Sequence, residues 1–161
     1  MTNLRIGFGF DVHQLSEGLD FNLGGLIIPH KKGSVGHSDA DVLIHAICDA
    51  LLGAANLGDI GKIFPDTDAK YKNIDSKILL KDVVKLLVDK NYSIVNIDST
   101  ICLQTPKLIG YLPKMKDVLS SCLGISAELI SIKATTTEKL GFVGKEEGVS
   151  SYATVLIQKN N

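Results

Sequence analysis

Apolar and polar positions change period repeatedly along this chain, and each change marks an element. Leu4 to His13 reads as a strand, with glycines at 7 and 9 where another backbone approaches or a bulge forms. Phe21-Asn22-Leu23 and Leu26-Ile27-Ile28 flank Gly24-Gly25, which predicts a hairpin; Pro29 to Gly36 reads as a polar loop. Ser38 then caps a long helix, with Asp41 three residues on in a capping-box arrangement. Val42, Ile44, Ala46, Ile47, Leu51, Ala54 and Ala55 make that helix nearly apolar all round, so it belongs in the core. Leu57 to Lys72 is a long loop rich in Gly, Asp and Pro, a length more often functional than idle. A second helix starts at Asp75 or Ser76. Val95, Ile97, Ser99, Ile101 and Leu103 alternate with Asn96, Asp98, Thr100 and Cys102 as a half-buried strand. A third helix runs from about Leu112 to Leu123 and stops at Gly124, before strands at Leu129–Thr135 and Val149–Gln158. The pattern predicts an α+β fold, an α/β two-layer sandwich in which a mixed β-sheet carries helices on one face.

Composition narrows the classes. At 161 residues the chain suits a single domain, residues 1–161, able to bury a core without staples. Lys plus Arg number 17 against 18 for Asp plus Glu, so the basic excess of a nucleic-acid binder is missing; with no Trp, bases find little to stack on. No apolar run approaches a membrane span, and the N-terminus enters a strand at Leu4 without a targeting segment. Cys48, Cys102 and Cys122 are odd in number and form no C-x-x-C pair, which predicts reduced thiols in a cytoplasmic protein. The sequon at Asn91-Tyr92-Ser93 is idle in that compartment.

Four groups of residues carry chemistry. Asp11 and His13 share one strand face, and His45 sits on an apolar helix where a solvated imidazole would be out of place. Asp/His/His suits Zn²⁺ with a fourth position open to a substrate oxygen; a strand-end hydrogen-bond pair is the plain alternative. His37-Ser38-Asp39-Ala40-Asp41 lies at a helix start, where free N–H groups favour an anion and His37 could meet phosphate, unless the segment only caps the helix. Asp59, Asp66 and Asp68 could hold sugar hydroxyls or a cation, or be solvated turns. Thr135-Thr136-Thr137-Glu138 follows a strand: the hydroxyls suit phosphate and Glu138 suits Mg²⁺, while T-x-x-E also spells a capping box. Together they suit phosphoryl transfer at a diphosphate.

Five segments resemble one family, the 2-C-methyl-D-erythritol 2,4-cyclodiphosphate synthases. They are Gly9-Phe10-Asp11-Val12-His13, His37 to Asp41 with His45, Leu57-Gly58-Asp59-Ile60-Gly61 through Phe64-Pro65-Asp66-Thr67-Asp68, Pro106-Lys107, and Lys133 to Phe142. The resemblance implies a homotrimer with its sheets facing inward and active sites at subunit interfaces. It implies Zn²⁺ on Asp11, His13 and His45, with His37 and Thr136 as the catalytic, transition-state-stabilising pair. Glu138 would help hold Mg²⁺ or Mn²⁺ on the diphosphate. Leu103, Gln104, Thr105, Pro106, Lys107, Leu108 and Ile109 would wrap the cytidine of the cytidylyl substrate. Asp59, Ile60, Gly61, Phe64, Pro65, Asp66, Thr67 and Asp68 would line its methylerythritol side. Substrate contacts are also implied for Asp11, His13, His37, Ser38, Thr135, Thr136, Thr137, Glu138, Phe142 and Lys145.

The implied reaction closes 4-diphosphocytidyl-2-C-methyl-D-erythritol 2-phosphate into the cyclodiphosphate and releases CMP. Two positions depart from the pattern: Lys145 stands where many members carry Arg, and Phe8 where some carry His. The apolar strand face of Val95, Ile97, Ile101 and Leu103 is expected to line the trimer interior. Against this stand a metal-dependent nucleotide-diphosphate phosphohydrolase, using the same zinc on water, and a non-catalytic nucleotide or metal sensor.

Overall fold

A computed structural model describes residues 3–65 and 67–160. Its strands are β1 (Leu4–Glu17), β2 (Asn22–Leu23), β3 (Leu26–Ile27), β4 (Lys32–Ser34), β5 (Tyr92–Cys102), β6 (Ile130–Thr135) and β7 (Gly148–Lys159). Its α-helices are α1 (Val42–Ala54), α2 (Ile60–Ile63), α3 (Ser76–Asp89), α4 (Leu112–Leu123) and α5 (Gly141–Gly144), with 3₁₀ turns at Ala69–Tyr71 and Ala127–Leu129. Five strands form one mixed sheet in the order β4-β1-β7-β5-β6; only the β5–β6 pair is parallel, and β2–β3 is a separate hairpin. Helices α1, α3 and α4 pack on one face of the sheet. None of the helices is long and apolar enough to cross a membrane among the described residues.

The joint between β1 and α1 sets everything that follows. Two strand residues span about 6.6 Å and four helical residues about 6 Å, so a strand and a helix can keep step along their contact. Here Gly7 lies on Ala50 and Gly9 on Ala46, so closely that a Cβ at either glycine would meet a helix carbonyl at 1.9 Å. Eleven α1 residues are buried, His45 among them, in line with the apolar pattern. Gly9→Ala is therefore expected to destabilise the fold by about 3 kcal/mol, the upper end of overpacking, because α1 must lift as a body. Denaturant unfolding measures this; a Gly9→Ala midpoint equal to that of the unaltered protein would contradict the close joint.

Several expectations need correction. β1 does not end at His13 but runs to Glu17, where it pairs with β4, a strand inside the supposed polar loop. Lys32-Gly33-Ser34 carries no apolar alternation to betray it, because it bonds through its backbone at the sheet edge. Ser38 does not cap α1; Asp41 does, accepting from the Ile44 amide. The long loop contains α2 and a 3₁₀ turn, with Asp59 and Asp68 as their caps. Ile97, Ile101 and Leu103 lie in the chain's own core beneath the helices, not on an open face, and Val95 sits at a bulge. Alternation separates the two faces of β5 but does not say which one the helices cover. The open face belongs to β1 and β7, where Ile6, Phe8, Phe10 and Tyr152 stand exposed. α4 ends as expected, at a left-handed Gly124. The three cysteines are free, and burial pushes the Cys48 thiol well up, which keeps it inert.

Candidate active site

Beyond Gly9, the same β1 face presents Asp11 and His13, and α1 brings His45 down on them. Asp11 Oδ2 lies 2.8 Å from His13 Nε2 and 3.0 Å from His45 Nδ1, and the two ring nitrogens are 3.1 Å apart. Among the described residues this is the one cluster of three potential metal ligands. Burial pushes the Asp11 carboxyl up, but the two histidines beside it outweigh that and hold it at about 2. Burial pulls His13 down, yet the Asp11 carboxylate wins and raises it.

Hydrogen-bond direction tests whether these residues fit a metal. His13 Nδ1 lies 3.0 Å from the Val35 carbonyl, which can only accept, so Nδ1 carries a hydrogen and the neutral ring turns its Nε2 lone pair inward. His45 Nε2 lies 2.9 Å from Ser76 Oγ, on the far side of the ring from Asp11. A carboxylate oxygen and two imidazole nitrogens converge there, a set that could hold a shared cation. Ligands about 2.0–2.1 Å from a tetrahedral ion stand about 3.3 Å apart, close to the spacing here. The donor set fits zinc.

A cavity of about 300 Å³ opens over the cluster, lined by Asp11, His13, His45, His37, Ser38, Ile60, Gly61 and Phe64, with Tyr71, Ile74 and Leu79. Phe64 meets Tyr71 edge-on at 5.4 Å. His37 is exposed at this rim, and its carbonyl accepts from the Asn73 amide at 2.8 Å. The α1 N-terminus is not free for an anion; of the two readings of this segment the cap holds, at Asp41. The fully buried Asp41 carboxylate fills it, accepting from Gly24 at 2.9 Å, Gly25 at 2.7 Å and Ile44 at 3.1 Å.

A second cavity, about 370 Å³, is lined by Leu103, Gln104, Pro106, Lys107, Leu108, Ile109, Leu112, Ala134, Thr135 and Thr136. It shares no lining residue with the first. Gln104 Oε1 accepts from the Lys139 amide at 3.3 Å, which ties the loop after β5 to the turn after β6. In that turn Glu138 and Lys139 adopt left-handed φ of 53° and 64°. Strain of this kind, about 1–3 kcal/mol per residue, collects at functional sites. The Thr136 hydroxyl donates to Glu138 Oε1 at 3.2 Å and the Thr137 hydroxyl to the Leu140 carbonyl at 2.7 Å. Thr135 and Glu138 form no capping box, since α5 is capped at Leu140 without a side chain.

Of the other expected residues, Asp59, Thr105, Pro65, Thr67, Asp68, Thr137, Glu138, Phe142 and Lys145 line neither cavity. Asp66 lies outside the described residues. Asp59 and Asp68 spend a carboxylate oxygen each on the Lys62 and Lys70 amides. Sequence reasoning passed over Asp39, Ser76 and Asp49. Asp49 follows His45 by one helical turn and accepts from the Ile60 amide at 2.8 Å, anchoring α2 beside the metal cluster.

Comparison with known proteins now decides the family. A match to the YgbB family spans residues 4–158. The chain belongs to that family. A relative from Bacteroides fragilis named 2-C-methyl-D-erythritol 2,4-cyclodiphosphate synthase is 64% identical over 97% of this chain and 98% of its own. Two solved structures share the fold. The bifunctional IspDF of Campylobacter jejuni superposes at a TM-score of 0.95 with 40% identity, over the whole of this chain and 44% of that longer one. A Plasmodium falciparum IspF in complex with CDP superposes at 0.87 with 33% identity, over 100% of this chain and 99% of that one. Family membership agrees with the resemblance carried by the five segments.

Proposed function

We propose that this chain converts 4-diphosphocytidyl-2-C-methyl-D-erythritol 2-phosphate to 2-C-methyl-D-erythritol 2,4-cyclodiphosphate and CMP. The observation that carries the activity is the 64% identity, end to end, with a protein named for that synthesis. The converging Asp11, His13 and His45 atoms support it from the side of chemistry. The chain acts as one catalytic domain over residues 1–161, in the cytoplasm, where its unpaired cysteines stay reduced.

An oxygen of the 2-phosphate forms a bond to the β-phosphorus, and the bond from that phosphorus to the oxygen bridging to the α-phosphorus breaks. The electron pair leaves with CMP. Asp11, His13 and His45 would hold Zn²⁺, which when bound supplies positive charge at a phosphoryl oxygen. Glu138, a lone carboxylate beside phosphate-binding hydroxyls, matches the one or two protein ligands that Mg²⁺ or Mn²⁺ takes there. His37 at the rim of the metal cavity would donate a hydrogen bond as charge gathers on the transferring group, and so would Thr136 in the second cavity once its hydroxyl turns from Glu138 Oε1. Leu103 to Ile109 enclose the cytidine. Ile60, Gly61 and Phe64, which line the metal cavity, would meet the methylerythritol. Holding nucleophile and electrophile together in this way turns a costly encounter into an intramolecular step.

The family resemblance implies a homotrimer, and the two cavities fit it. A substrate with a cytidine at one end and a reacting diphosphate at the other needs both cavities, and within one chain they share no wall. A neighbouring copy that turns its nucleotide cavity toward this chain's metal cluster completes the site. The exposed Ile6, Phe8, Phe10 and Tyr152 offer the apolar surface that inward-facing sheets would cover. Phosphorus NMR of the products tests the reaction: the zinc-loaded protein with Mg²⁺ should give the cyclic diphosphate and CMP. A linear monophosphate would identify a phosphohydrolase instead, and CMP binding without turnover a sensor.

A further inference from the structure

Ser76 is fully buried at the first position of α3, and the proposed reaction asks for no hydroxyl there. Its amide donates to Asp39 Oδ2 at 3.0 Å, and its hydroxyl donates to Asp39 Oδ1. A hydroxyl has one hydrogen and a carboxylate can only accept, so that hydrogen is committed. Ser76 Oγ therefore meets His45 Nε2, 2.9 Å away, with lone pairs alone. The ring nitrogen facing it must carry the hydrogen. That leaves the His45 lone pair on Nδ1, the atom turned toward Asp11 and His13.

We propose that Asp39 and Ser76 are positioning residues that fix the tautomer and ring orientation of His45, so that its metal-binding nitrogen is set before any ion arrives. The proposal rests on the metal reading of Asp11, His13 and His45 given above. It has a consequence for Ser38, whose oxygen lies 3.0 Å from His45 Nε2 and accepts from the Ala40 amide at 3.2 Å. If Nε2–H is shared between the two hydroxyls, Ser38 accepts twice, and its own hydrogen is free for an anionic oxygen in the cavity it lines. Backbone bonds from Asp39 N to the Ile74 carbonyl and from Asn73 N to the His37 carbonyl join the His37 loop to the start of α3. The metal ligand, the His37 loop and α3 thus form one network.

Two measurements test this. Long-range ¹H–¹⁵N NMR of the zinc-free protein, at a pH where the ring is neutral, should show His45 protonated at Nε2. In metal-buffered titrations Ser76→Ala should weaken zinc binding about 10–100-fold, as loss of an outer-shell partner does, while the zinc-free variant keeps its circular dichroism. Asp39→Asn, which can release the Ser76 hydrogen toward His45, should weaken zinc binding in the same direction. Zinc affinity in Ser76→Ala within about twofold of the unaltered protein, well short of that range, would overturn the positioning role alone. So would a proton on His45 Nδ1, a readout that needs no variant and stands even if Ser76→Ala fails to fold. Failure of the unaltered protein to bind zinc would remove the metal reading and this proposal with it.

Discussion

Replacing His45 by Ala is expected to strip zinc from the protein and stop turnover while leaving the fold in place. His45 supplies one of three ligand atoms, and the remaining pair, Asp11 and His13, sit on one strand and cannot surround an ion. Its loss should cost zinc affinity more than the roughly 10–100-fold expected for an outer-shell residue. The zinc-free fold should fall by only about 1–3 kcal/mol, the cost of unpaired polar neighbours around the truncated ring. Calorimetry gives a second signature. Zinc at about 100 times its Kd raises the unaltered protein's stability by about 2.7 kcal/mol and should leave His45→Ala unmoved. A variant that retains a full equivalent of zinc would remove His45 from the ligand set.

Glu138→Gln is expected to lower turnover by about 10²-fold, with zinc content unchanged and partial recovery at raised Mg²⁺ or Mn²⁺. The substitution is a narrow one. Glu138 is exposed on its left-handed turn, and Gln can still accept from the Thr136 hydroxyl, so the turn survives and only charge is lost. Ordinary turnover of Glu138→Gln at low magnesium would end the second-metal role and leave Glu138 as a turn residue. An equal loss at every metal concentration would point to proton transfer instead.

The Asp11, His13 and His45 cluster was legible because its geometry is local or periodic. Asp11 and His13 share a face by the two-residue period of a strand, and an imidazole on the apolar α1 had to find a partner inside. Gly7 and Gly9 announced a close approach, and α1 makes it. What stayed hidden depended on choices that only packing makes. Ser38 and Asp41 are both good caps; the Gly24-Gly25 hairpin, whose amides need a buried acceptor, selects Asp41. β4 leaves no trace because an edge strand of Lys-Gly-Ser is held by backbone alone. Ser76 was visible as a helix start, but its role depends on Asp39, 37 residues away. The side of β5 that faces the helices was equally beyond the alternation, so Ile97 and Ile101 were assigned to the wrong surface.

The central claim is that the metal cavity of one chain works with the nucleotide cavity of another. Co-expressing His45→Ala with Glu138→Gln under two affinity tags, and purifying through both, tests it most directly. Each variant alone has one damaged half at every site. In every mixed trimer one of the three sites pairs an intact metal cavity with an intact Glu138 turn from a neighbour, because a closed ring of three with both variants has one such junction. Turnover near a third of the unaltered level, from two nearly inactive parents, is the predicted result. Mixed assemblies no more active than the parents would contradict the shared site.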